Sequence, residues 1–152
     1  MGNKITVIVL GRFKKKTSEG VGKTAGKILK ILKKKNLEVE IYLGDNRIMK
    51  RLNKEFRGKD KAADVLSFEE PRGFINPPSR FKKIGEVCLN IAQPTAHGLL
   101  LTAKNQQSVS RKLLAVSYLL AHGILHLLGY SHGRKNDRIK MEKAERKALR
   151  KL

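Results

Sequence analysis

The sequence predicts an α+β fold: a small mixed sheet of about four strands packed with about five helices, in the order βαβαββααα. Three observations predict it. In the first half, β-branched or alternating segments take turns with stretches of helical periodicity. The second half carries the longest apolar segment, Ser108–Leu128, which is too long for a strand. No internal repeat and no linker divides the 152 residues, a length that suits one domain, 1–152.

Lys4–Leu10 (KITVIVL) is rich in β-branched residues and reads as a buried strand. Thr17–Lys35 places Val21, Ala25, Ile28, Leu29 and Leu32 at helical spacing, with lysines between them. Leu37–Leu43 (LEVEIYL) alternates and reads as a second strand. Asp45 can cap a helix running through Phe56, which Gly58 then closes. Val65–Phe68 is a short strand. Glu69–Lys83 contains Pro71, Gly73, Pro77 and Pro78 and reads as a long loop or flap. Ile84–Asn90 is another strand, Gln93–Lys104 a helix, and Ser108–Leu128 a largely buried helix. Asn136–Leu152 is a basic terminal helix, expected to turn Ile139, Ala144 and Ala148 inward.

Charge narrows the function classes. Lys and Arg number 34 against 13 acids, a net +21. Self-repulsion on that scale weakens the compact state, and a polyanion relieves it. Heat-adapted proteins also carry lysine-rich surfaces, but they balance Lys with Glu, which this chain does not. Nucleic acid is therefore the expected partner, gripped more by its phosphates than by stacking, since aromatics are few. The single Cys88 excludes an internal disulfide framework and suits a reducing compartment. No apolar run approaches the ~18 residues of a membrane span, and Ile5–Leu10 is shorter than the ~7–15-residue core of a secretory signal. No membrane partner is expected, and the expected location is the cytoplasm.

The chemistry concentrates in His122-Gly-Ile-Leu-His126-Leu-Leu-Gly129-Tyr-Ser-His132. Histidines four apart share a helix face, about 5.4 Å apart along the axis, so both imidazoles can reach one ion. Gly129 suits a left-handed helix cap, after which the chain can return His132 to the same ion. Three nitrogens with an open fourth position describe a catalytic zinc site more than a structural one. Histidines on a helix are often mere packing or surface residues. Here three of only four fall in one short window, with a glycine where the turn is needed. Zinc peptidases place a Glu, the general base, after the first His; here that residue is Gly123. Proteolysis is thus disfavoured, and the glycine is expected to leave room beside the metal for a bulky phosphodiester.

Together with Leu52-Asn53-Lys-Glu-Phe56-Arg57-Gly58-Lys59-Asp60-Lys61, leading into Asp64-Val65-Leu66-Ser67-Phe68, this motif resembles the YbeY family of bacterial ribosomal-RNA maturation endoribonucleases. Weaker patches are Ile84-Gly85-Glu86-Val87 and Met141 with Glu145. The resemblance implies a three-histidine metal site at His122, His126 and His132, usually holding one Zn²⁺. It implies an essential arginine at Arg57, and RNA cleavage in ribosome maturation, with ribosomal RNA or the small ribosomal subunit as partner. The implied fold is a small mixed sheet with helices around it. Imidazole ligands also suit other divalent ions such as Ni²⁺. An arginine near a helix C-terminus is favoured by the dipole alone; the motif is what singles out Arg57. A guanidinium there can clamp a phosphate oxygen and offset growing charge.

The sequence departs from the family at three places. Ser131 stands where Asp usually precedes the third His, so carboxylate support for a ligand is missing there. Ala62-Ala63 replaces the usual Pro-Thr, and Glu86 stands where Asp is usual. The general base is left between Glu86 and Asp64. The rival readings are a non-catalytic RNA-binding ribosome-assembly factor with a structural metal and, less favoured, a zinc peptidase. Gly20-Val-Gly22-Lys23-Thr24 lacks the first glycine of a phosphate loop, because position 17 is Thr17. The opening Met1-Gly2-Asn-Lys-Ile-Thr6 fits a loose myristoylation pattern but reads better as the approach to a core strand. Cys88 is expected to be a buried thiol rather than a fourth metal ligand, and His97 receives no role.

Overall fold

The computed structural model describes residues 2–13, 15–73, 77–92 and 108–152, and of 108–113 the backbone alone. Four strands, β1 (Lys4–Val9), β2 (Leu37–Gly44), β3 (Val65–Glu69) and β4 (Lys82–Asn90), form one sheet in the order β1-β2-β4-β3. β1, β2 and β4 run parallel, and β3 pairs antiparallel with β4, placing Ser67 opposite Val87. Four helices are described: α1 (Lys15–Ile31), α2 (Asn46–Arg57), α3 (Ser108–Leu127) and α4 (Lys135–Arg150). The mixed α+β architecture is the expected one. The fifth expected helix, Gln93–Lys104, lies outside the described residues, as does His97.

Strand alternation divides the core in two. Val39, Ile41 and Leu43 of β2 and Val87 and Leu89 of β4 join Val21, Ala25, Ile28 and Leu29 of α1 and the buried face of α3 in the main cluster. Tyr42 and Cys88, one residue out of phase, pack on the other sheet face with Met49 of α2 and Leu66. The central strands are thus covered on both sides, as parallel strands require. In α3, Leu120, Ala121, Ile124 and Leu125 are fully buried. At roughly 1.5–3 kcal/mol for each large apolar side chain, this burial fixes the helix's rotation. His122 and His126 are left half-buried along its edge.

α2 begins where Asp45 caps it, its carboxylate accepting from Ile48 N at 2.9 Å, and ends at Gly58 in the left-handed region (φ 69°). That stop puts Arg57 in the last turn, facing β3. α1 ends four residues before the expected Lys35, because Lys33 adopts a positive φ of 57° once apolar spacing runs out at Leu32. Gly20–Thr24 lies inside α1, so no phosphate loop exists there. α4 corrects one expectation: Ile139 is 51% exposed, and the inward face is Met141, Ala144, Glu145 and Ala148. Those four follow the i, i+3, i+4, i+7 spacing, and Ile139 falls off that stripe. Among the described residues, no helix is long and apolar enough to cross a membrane.

Candidate metal centre

α3 terminates in the hydrogen-bond pattern that sends a chain back on itself. Gly129 N donates to His126 O and Tyr130 N to Leu125 O, both at 3.0 Å, with Gly129 at φ 96°. The reversal carries His132 back over the helix. The three imidazoles converge, with Nε2···Nε2 separations of 3.1 Å (His122–His126), 3.2 Å (His126–His132) and 3.3 Å (His122–His132). Three nitrogens bound at 2.0–2.1 Å around a tetrahedral ion sit about 3.3 Å apart, so the spacing fits a zinc-sized cation.

Hydrogen bonds at the opposite ring edges set the tautomers. His122 Nδ1 lies 2.7 Å from Glu145 Oε1, and His126 Nδ1 lies 3.1 Å from the Tyr130 carbonyl oxygen. Both partners are acceptors, so both Nδ1 atoms carry the proton and both Nε2 atoms present lone pairs. Lone pairs facing each other at 3.1 Å repel, and a shared cation resolves the conflict. His126 is held below the ordinary imidazole value by burial and then by its two imidazole neighbours, which favours the neutral, ligating form. Among the described residues, the side chains able to hold a metal together are these three histidines. Cys88 is elsewhere, buried on the far face of the sheet beside Met49 and Leu66, its thiol pushed up to about 11 by burial.

The histidines line a cavity of about 680 Å³ together with Arg57, Lys59, Lys61 and Asp64. Arg57 Nη2 donates to Ser67 O at 2.9 Å, and its guanidinium lies 5.6 Å from the Phe68 ring centroid. One bond spends one of five guanidinium donors and leaves the rest for a ligand. Ser67 in turn donates from Oγ to the Gly123 carbonyl oxygen at 3.1 Å, tying β3 to α3. A second cavity of about 470 Å³ shares His122 and His132 with the first.

Of the two candidate bases, Asp64 lines both cavities, and burial raises its carboxyl above the ordinary value. Glu86 lines neither. It lies with Glu40 and Glu70 around Lys83 Nζ, at 3.6, 3.4 and 3.7 Å respectively. Of the segment expected as a loop, Glu69 closes β3 and borders the histidine cavity, Lys82 and Lys83 open β4, and no other described residue of the segment reaches that cavity. Gly123 is not the vacancy that the sequence suggested. A Cβ there would come within 2.7 Å of Val87 Cγ1 and 3.2 Å of Ser67 Oγ. The glycine admits the sheet, not a substrate, and the same wall excludes the peptidase glutamate. Sequence reasoning also left Glu145 without a role. Its i+4 spacing from Met141 on the inward stripe was the available signal.

A family model described as "Endoribonuclease YbeY" matches residues 11–152. A relative of that description from Sulfurihydrogenibium sp. (strain YO3AOP1) is 40% identical over 110 residues, covering 70% of this chain and 63% of its own. Another, from Persephonella marina (strain DSM 14350 / EX-H1), is 36% identical over 121 residues, covering 78% and 71%. The chain thus spans just under two thirds of the first of these relatives and somewhat more of the second. The solution structure of a Thermotoga maritima protein matches with a TM-score of 0.53 at 24% identity, over 96% of this chain and 91% of that one, which is a likeness of fold. With a family match across all but the first ten residues, this chain belongs to the YbeY family.

Proposed function

We propose that this chain is a metal-dependent endoribonuclease that cuts single-stranded RNA, acting as one domain in ribosomal RNA maturation. The observation that carries the reading is the convergence of three histidine Nε2 atoms in a cavity that also holds Arg57, Lys59 and Lys61. The relatives' description as endoribonucleases supports the reaction class. The net charge of +21 supports a polyanionic substrate, and the single cysteine supports a cytoplasmic setting.

In this reading His122, His126 and His132 hold one ion, Zn²⁺ by the fit of the nitrogen spacing, with Ni²⁺ a chemically similar occupant. Bound there, the ion supplies Lewis acidity towards a phosphoryl oxygen and makes water a better nucleophile near neutral pH. Lys59 and Lys61 draw the RNA backbone into the cavity. Arg57, steadied by the Ser67 carbonyl and the Phe68 ring, presents its remaining N–H groups to the non-bridging oxygens and offsets charge that grows as the bond breaks. Glu145 and the Tyr130 carbonyl keep the two helix imidazoles oriented. In this reading Asp64 accepts a proton from the attacking group, which its lining of both cavities supports.

The test is cleavage of a single-stranded ribosomal RNA fragment by untreated, chelator-stripped and metal-restored protein. Cleavage should vanish with chelator and return with metal. RNA binding without cleavage in all three samples would replace the enzyme with an assembly factor whose histidines form a structural clip.

A further inference from the structure

The second cavity differs from the first in chemistry as well as position. Both share His122, His132, Asp64 and Val65, so the two cavities adjoin at these residues. The first carries Arg57, Lys59 and Lys61. The second has Arg138 as its one fixed cation among the described lining residues, against the carboxylates of Asp64, Glu142 and Glu145. Its floor is apolar: Leu119 and Met141 are buried, and so is most of Tyr118, whose ring centroid lies 5.9 Å from that of His122. Burial, then Glu145 and Glu142, push the Tyr118 phenol up to about 12, so it stays a neutral hydrogen-bonding group.

The helical repeat explains how α4 builds this wall. Arg138, Met141, Glu142 and Glu145 sit at i, i+3, i+4 and i+7, one stripe facing the recess. Met141 and Glu145 lie deep, while Arg138 and Glu142 stay exposed at the rim. A phosphate does not belong in such a place, because the carboxylates repel it. A flat group with two apolar faces and a hydrogen-bonding edge does. About 470 Å³ is within the roughly 300–1,000 Å³ of small-ligand sites.

We propose that this recess holds the nucleobase of the nucleotide flanking the scissile phosphate, and that Glu142 selects that base. The proposal rests on the ribonuclease reading. The RNA backbone lies in the basic cavity up to the histidines, and the next base turns past the shared residues His122 and His132 into the recess. The aromatic and thioether floor receives the base face, and the Glu142 carboxylate accepts from an exocyclic amino group. Cytosine, adenine and guanine each offer one. Uracil has no exocyclic amino group, and its single N3–H lies between two carbonyls that repel a carboxylate, so uridine is the disfavoured residue at that position.

The experiment is cleavage of single-stranded oligoribonucleotides that differ at one position on either side of a mapped cut, by wild type and Glu142→Gln protein. Wild type should cut the uridine version about tenfold more slowly, at one of the two flanking positions. In Glu142→Gln that penalty should disappear, because an amide can donate to a uracil carbonyl. Glu142 is exposed, so the exchange should leave folding intact. Binding of the same fluorescently labelled oligonucleotides in chelator reads the recess without turnover and should show the same order. Cleavage indifferent to both flanking bases, or an identical preference in the variant, overturns the subsite alone. Cleavage of none of them overturns the ribonuclease reading and the subsite with it.

Discussion

Glu145 Oε1 lies 2.7 Å from His122 Nδ1, joining the middle of the last helix to the first of the three converging imidazoles. Glu145 is largely buried, and in a chain of net charge +21 a buried carboxylate needs a fixed donor. The imidazole N–H supplies it. The carboxylate in turn holds the ring in the tautomer that points its other nitrogen at His126 and His132 Nε2. Carboxylate support from α4 thus reaches His122, whereas Ser131 beside His132 offers none.

Glu145→Gln is expected to weaken zinc binding by roughly 10–100-fold while the fold persists, since the amide keeps the shape and loses the charge. Competition with a chromophoric chelator measures the affinity, and circular dichroism checks the fold. Unchanged affinity would reduce the contact to packing.

Replacing Arg57 separates chemistry from metal binding. Arg57→Ala should cut RNA about 10²–10³-fold more slowly with its metal content intact, as for loss of one transition-state donor. His126→Ala should lose both metal and cleavage. Metal analysis beside a cleavage time course distinguishes the two, and wild-type rates in Arg57→Ala would remove the arginine from the mechanism.

Gly123→Ala sets two effects against each other. Alanine favours the helix by about 1 kcal/mol over glycine, whereas overpacking a filled core costs about 1–3 kcal/mol. Val87, whose Cγ1 would lie 2.7 Å from the new Cβ, is fully buried and has little room to move. A net loss of up to about 2 kcal/mol is expected, seen as a lower Tm. A higher Tm would mean that the sheet gives way.

Acid should loosen the metal-free protein. His126 binds its proton less readily when folded than when unfolded, so the unfolded state holds more protons and stability rises with pH. As pH falls through the unfolded value of about 6.5, that stability is lost. Melting temperatures of metal-free protein at pH 7.5 and pH 5.5 should differ more in wild type than in His126→Ala.

Local signals made most of this site readable. Histidine spacing and Gly129 encode a helix edge and a reversal, and both follow from residues within one short window. Asp45 and Gly58 likewise bracket α2 from its ends, which fixes Arg57 in the final turn. What escaped depends on partners far along the chain. Gly123 looked like an opening because no local rule reveals that Val87 and Ser67 fill the space beside it. Ile139 seemed a core residue by composition, yet Met141, Ala144 and Glu145 define the stripe once α4 meets α3. Glu86 and Asp64 were equal by residue type. Only the register of β4 with β2 and β3 gives the first to Lys83 and leaves the second at the cavity.

Ser67 touches both halves of the centre at once. Its carbonyl accepts from Arg57, and its hydroxyl donates to the turn of α3 that follows His122. The arginine and the imidazoles are thereby referenced to one pleat of the sheet, whatever occupies the space between them. Genetic changes on the two sides then cease to be independent. A shift of the helix at position 123 is carried through Ser67 to the guanidinium, so its effect combines with a change at Arg57 in a non-additive way. Substitutions at positions 57 and 123 are therefore expected to act as a coupled pair.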